Sequence, residues 1–260
     1  MTRLAALRND SGRAVQRVLR SFDPLANRES LIRDVEELCV HFHVIAVATL
    51  LVDGNPQGFF LNLCRAGENW RRLLKTLRAR GLPMPASRHT APLAGALTAG
   101  DWALAEQLAA LSETRWIPDE EYRTEHAQAQ LLCALVGPGT RDSALACAES
   151  LEALGGPGNE QRAACAKALL DADSEAFVTA FRAALLVHSE DVEKKAKLFT
   201  TPVTRFAPHR SIWMEGLALL RLAERAGIPT FDEAFLYCPP LARLPMAERY
   251  CGDWVLALDP

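Results

Sequence analysis

The chain lacks several things that would settle its class at once. No two of its seven cysteines stand at Cys-x-x-Cys spacing and their number is odd, which suits a reducing compartment better than a disulfide framework. It lacks an excess of basic charge: the formal net charge is -3, which argues against nucleic-acid binding as its main task, because phosphate neutralisation dominates that affinity. It lacks a long apolar run. The most apolar stretch, Leu38 to Val52, contains His41 and His43 and falls short of the roughly 20 residues of a spanning helix. It reads as a buried helix. The N-terminus meets Arg8, Asn9 and Asp10 too soon for a signal peptide, so a cytoplasmic protein with no membrane partner is expected. Gly-x-Ser-x-Gly, Walker-type, His-Glu-x-x-His and Rossmann patterns are missing too. The expectation is therefore no catalytic residues, no cofactor and no metal.

What the sequence does have is alanine and leucine, broken by short Gly/Pro punctuation at 53–56, 81–85, 100–101, 137–139, 155–158 and 227–229. Such composition leans helical, and β-branched residues rarely come in runs. Apolar residues recur at spacings of three and four in 59–80, 101–111, 119–136, 140–154, 159–171, 174–190 and 211–226. Asp101 is placed to cap the helix that follows it. The predicted fold is all-α, with antiparallel helical pairs in a repeat-like, tetratricopeptide-like bundle or short solenoid; Leu93 to Leu108 reads as one such helix–turn–helix, although no strict 34-residue repeat recurs. The proline-rich 81–92 stretch suggests a division into an N-terminal part, 1–82, and a C-terminal part, 83–260, with one continuous domain as the alternative. Trp254 to Leu258 reads as a short strand or a packed extended end.

Few residues suggest chemistry. His41 and His43 are two apart and so diverge on a helix, which fits core histidines better than a metal pair. Asp171-x-Asp173-x-Glu175 opens like a calcium loop, but Ala176 and Arg182 occupy the positions that need glycine and a carboxylate. A corner with caps is the better reading. Gly155-Gly156-Pro157-Gly158 lacks the strand and lysine of a phosphate cradle and reads as a linker turn.

Two charged groups remain. Arg65, Arg71, Arg72, Lys75, Arg78 and Arg80 make a basic face, read by default as solvated and more sharply as the seat of an anionic partner. Asp119, Glu120, Glu121 and Glu125, together with Glu190, Asp191 and Glu193, make acidic helix faces. Such faces can imitate nucleic acid and meet the basic cleft of a nuclease.

The C-terminal half adds Phe177 to His188, then an apolar helix bearing Trp213 and Glu215, then Ala226-Gly227-Ile228-Pro229, and the aromatic–Cys–Pro stretch Phe235 to Pro240, with Arg243 beyond. With the Leu97-x-x-Gly100-Asp101-Trp102-x-Leu104-Ala105 turn, this pattern over residues 90–245 resembles the immunity protein 49 family. Its members are encoded beside toxins of bacterial polymorphic and contact-dependent secretion systems. The helical immunity proteins of PD-(D/E)xK DNase effectors are similar as well. The first 80 residues carry none of the likeness. The resemblance implies a cytoplasmic antitoxin that binds one cognate toxin and blocks its active site or its access to substrate. The acidic residues Asp119, Glu120, Glu121, Glu125, Glu190 and Asp191 are then the expected toxin-facing surface. The rival readings are a helical-repeat adaptor for a cellular protein or peptide, and an enzyme, which a deep polar pocket collecting His188, Glu215 and an arginine would favour.

Overall fold

A computed structural model describes residues 3–137, 139–198 and 203–258. Among the described residues the chain forms eleven α-helices, one 3-10 turn and no strand: α1 Arg3–Ser21, α2 Arg28–Asp53, α3 Pro56–Ala79, α4 Ala91–Ala99, α5 Trp102–Leu111, α6 Arg123–Val136, α7 Arg141–Ala153, α8 Asn159–Asp171, α9 Ser174–Ala196, α10 Val203–His209 and α11 Met214–Arg225, with the turn at Pro240–Arg243. The all-α expectation holds.

The helix ends have local causes. Asn27 and Asn55 cap α2 and α3 by accepting from the amides of Ser30 and Gly58, at 2.9 and 2.8 Å. Asp101 caps α5, as its position suggested, accepting from Leu104 at 3.1 Å. Gly100 takes the left-handed conformation (φ 74°) that turns α4 into α5, a conformation a Cβ would penalise. The 171–174 corner is also as read: Ala172 is left-handed and Asp173 accepts from Ala176 at 3.0 Å. The helix expected from residue 119 starts only at Arg123, because 117–121 fold into a turn before it.

Consecutive helices pack on one another from α1 to α9, and α5 also lies on α3; α10 packs on α2, and α11 on α4. The helix α2 is apolar nearly all round, the pattern of a helix enclosed by others. At 26 residues it is long and apolar enough to cross a membrane by length and composition, yet most of that stretch is buried here against α1, α3 and α10.

One apolar cluster runs from Val15 through Phe42, Phe60 and Leu97 to Phe181, Leu220 and Leu258, so residues from both sides of 81–92 share it. That stretch is fastened in place. Arg28 on α2 donates to the carbonyls of Pro83 and Met84 at 2.9 and 3.0 Å and to Glu120 at 3.0 Å.

Candidate functional site

Tertiary packing rearranges the charged groups read from the sequence. Glu121 is buried: it accepts from the Ser87 hydroxyl and the Arg88 amide, both at 2.9 Å, and from the Ile117 amide at 3.3 Å. Glu120 holds Arg28 and the Ala86 amide. These two carboxylates satisfy the backbone of the proline-rich connection, so Glu121 cannot face a partner and Glu120 is already engaged. They also lie in a turn, which corrects their placement on an acidic helix face. Glu125 belongs to the first turn of α6, where it accepts from the Tyr122 amide at 2.8 Å. Asp119 and Glu190 are exposed, and Asp191 is partly exposed and paired with Lys195 at 2.7 Å. Negative charge does collect elsewhere: a shallow groove of about 680 Å³ between α8 and α9 is lined by Glu152, Glu160, Asp173 and Glu175.

The basic face of α3 is divided: Lys75, Arg78 and Arg80 are exposed, as the solvated reading has it, while Arg65, Arg71 and Arg72 are engaged within the chain. Arg71 and Arg72 both bind Glu68, at 2.7 and 2.8 Å, and their guanidiniums hold its carboxyl below the usual range even though burial pushes the other way. Arg65 grips Asp253 and Arg72 donates to the Leu258 carbonyl at 3.2 Å. Two of the six cations, Arg65 and Arg72, are therefore engaged by the chain's own tail.

The tail of residues 247–258 lies along α3 without forming a strand, which decides for the packed extended end. Gln57 accepts from the amides of Ala247 and Glu248 at 2.9 and 3.2 Å and donates to the Glu248 carbonyl. Asn69, wholly buried, donates to the Trp254 carbonyl at 3.0 Å and accepts from the Leu256 amide at 2.8 Å. One amide side chain thus pairs with the tail much as a neighbouring strand would. Trp254 sits in the left-handed region (φ 54°), with the Arg65 guanidinium 5.5 Å from its ring centre.

Trp254 also stands at the edge of a trough of about 1010 Å³ between α1, α2 and α3. Five arginines line it: Arg8, Arg13, Arg17 and Arg20 from α1, and Arg65 from α3. Phe42, Ile45 and Trp254 add apolar surface, and no carboxylate is in the lining. Arg8, Arg13 and Arg65 pair with Asp53, Asp10 and Asp253 at its margins, while Arg17 and Arg20 make no ion pair among the described residues. Arg65 apart, this site lies outside the basic face that the sequence pattern singled out. Its signal was present in the spacing Arg13, Arg17, Arg20, which puts three cations on one face of α1.

The aromatic residues of the C-terminal half form a packed joint. Phe177, Phe181, Trp213, His188 and Tyr237 stand in sequence, ring centres 4.9–5.7 Å apart. Arg162 of α8 binds Glu215 of α11 through two bonds of 2.5 and 2.8 Å. Burial opposes the Glu215 charge, but Arg162, with Trp213 and His188, holds its carboxyl below the usual range. His188, Glu215 and an arginine are thus collected, as an enzyme would require, but in a joint whose imidazole is covered by Trp213 on its face and Tyr237 at its edge.

A smaller cavity, about 350 Å³, lies between α2, α3, α4 and α10 and is lined by His43, His89 and His209 with Arg88, Glu36 and Glu125. His43 is a core histidine as expected, yet it is not satisfied: its Nε2 has no hydrogen-bond partner. His41 instead meets the Ser11 hydroxyl at 3.1 Å. Burial, aided by His209, pushes the His43 imidazole down to about 3. The unfolded chain takes up this proton near pH 6.5 and the folded chain only near pH 3, so the neutral ring favours folding above that window and stability falls as pH drops through it. From pH 7.5 to pH 5 the loss through His43 is about 2 kcal/mol, the worth of about 1.5 pKa units. Urea unfolding at the two pH values will show it, and His43→Leu will remove that share of the loss. An unchanged pH dependence in the variant contradicts the assignment.

No family model matches the chain, and neither a curated protein nor a solved structure matches it.

Proposed function

We propose that this chain is an immunity protein: it binds one cognate bacterial toxin in the cytoplasm, stoichiometrically and without chemistry of its own. Bound, it blocks the toxin's active site or its access to substrate. The observation that carries this reading is the arginine trough, an exposed, carboxylate-free surface along α1 beside a stable helical core. At 1.5 Å per residue the 19 residues of α1 extend about 28 Å, enough to organise a partner-sized contact of roughly 800 Å² per side. The resemblance of residues 90–245 to the immunity protein 49 family supports the class, and helical pairs of a tetratricopeptide-like kind suit a protein whose task is to present shape. The toxin-facing surface moves, in this proposal, from the acidic residues to the trough.

The test is co-expression with the product of the gene immediately upstream, scoring growth and then pulling down the complex. Rescue with a stable complex is the expected result. A neighbour that is harmless, or toxic without being rescued or bound, defeats immunity to it and leaves the adaptor reading. Rescue that survives Arg13→Glu/Arg17→Glu/Arg20→Glu but is lost with Glu160→Lys/Glu175→Lys places the toxin on the α8–α9 groove instead.

A further inference from the structure

We propose that the arginine trough takes an extended acidic segment of a partner protein, with carboxylates at alternate residues and an aromatic side chain nearby. This deepens the partner-binding reading and rests on it. Three observations lead there.

The first is charge. Five guanidiniums line the trough with no carboxylate among them, and Arg17 and Arg20 make no ion pair among the described residues. Arginine forks match carboxylates in two-bond geometry, so an anion with several carboxylates is the natural complement.

The second is spacing. Arg13, Arg17 and Arg20 lie about 6 and 4.5 Å apart along the helix axis, at 1.5 Å per residue. An extended peptide carries its same-face side chains about 6.6 Å apart. Acidic residues at every second position therefore drift by only about 3 Å from these arginines over three contacts, a mismatch the long arginine side chains can span.

The third is the chain's own tail. At the end of the trough Asp253 lies on Arg65 and the ring of the adjoining Trp254 lies against the same guanidinium, so an acidic–aromatic pair of the chain itself already occupies one cation of the site. A partner segment repeats that chemistry along α1, its aromatic ring resting on Ile45 and Trp254. A nucleic acid fits less well. The protein's net charge of -3 opposes a long polyanion, and Asp10, Asp53 and Asp253 stand at the margins of the trough.

Fluorescence anisotropy on the full-length chain tests this, using a labelled dodecapeptide of alternating glutamate and serine with one tryptophan. The controls are the same peptide with glutamine for glutamate and a labelled oligothymidylate of equal length. The acidic peptide is expected to bind at least tenfold more tightly than either control and more weakly as salt rises. Arg17→Ala/Arg20→Ala is expected to weaken it about tenfold. Gly12 lies in the trough wall with open space around it, so Gly12→Trp fills the site and abolishes binding, while circular dichroism reports that both variants are folded.

Equal or tighter binding of the oligothymidylate overturns the proposal, as does no binding of the acidic peptide, or binding indifferent to both variants. If the peptide fails while the wild-type chain still rescues cells from its neighbour's toxin, the acidic-segment inference falls and the immunity reading stands. If the peptide binds and no toxin is neutralised, the immunity reading falls and the groove's chemistry stands.

Discussion

Phe181→Ala will destabilise the protein by about 4 kcal/mol, within the range for truncating a well-packed phenylalanine. Phe181 is fully buried and its ring meets Phe177, Trp213 and Phe235 at centre distances of 5.7, 5.3 and 4.8 Å. Removing it opens a cavity at the point where α9, the start of α11 and the 235–238 segment meet. The cavity is slow to close. Trp213 is held on its other side by Gly216, where an added Cβ would stand 2.2 Å from the indole, and by the stacked His188 ring. Trp213 is also tied to the chain by its amide, which donates to the Tyr237 carbonyl at 2.9 Å. Urea or thermal unfolding will measure the effect, with a fall in Tm on the order of 10 °C for a chain of this size. Phe181→Leu keeps more of the volume and will lose less. A loss under about 1 kcal/mol in the alanine variant means the rings do not pack as described.

Asn69→Leu will release the C-terminal tail. The substitution keeps a buried side chain of similar bulk but strands the Trp254 carbonyl and the Leu256 amide, at about 1–3 kcal/mol for each unsatisfied group. Because the tail can lift into water to recover those bonds, the observable is local. Amide hydrogen exchange across 247–258 will accelerate at least tenfold while α2 and α3 keep their protection. Leu256 and Leu258, now buried against the body of the protein, become exposed with it. Trp254 leaves the end of the trough, so this variant also alters the surface offered to a partner. Unchanged exchange in the tail shows that Arg65, Arg72 and Gln57 suffice to hold it.

Much of the fold was legible because helices are local. Apolar spacing, the Gly100-Asp101 turn and the 171–174 corner each depend on neighbours within a turn or two, and each appears where the sequence put it. The ends were less legible. The turn at 117–121 forms because Glu121 reaches back to Ser87 and Arg88, over thirty residues away in sequence. Helix α9 continues past residue 190 to Ala196.

Charge was the least legible property. A list of carboxylates says nothing about which ones are already bonded. Glu120 and Glu121 looked like surface and instead anchor the connection, whereas α1, read for nothing, supplies four of the five arginines of the trough. The sequence by itself determined the class of fold, most helices and the free buried thiols of the core. Only the tertiary structure decided that Arg65 and Arg72 of α3 hold the tail and that the α1 arginines face an open trough. The physical reason is range: helix propensity is set by contacts of three or four residues, while the pairing of a charge depends on whatever the fold brings within about 4 Å of it.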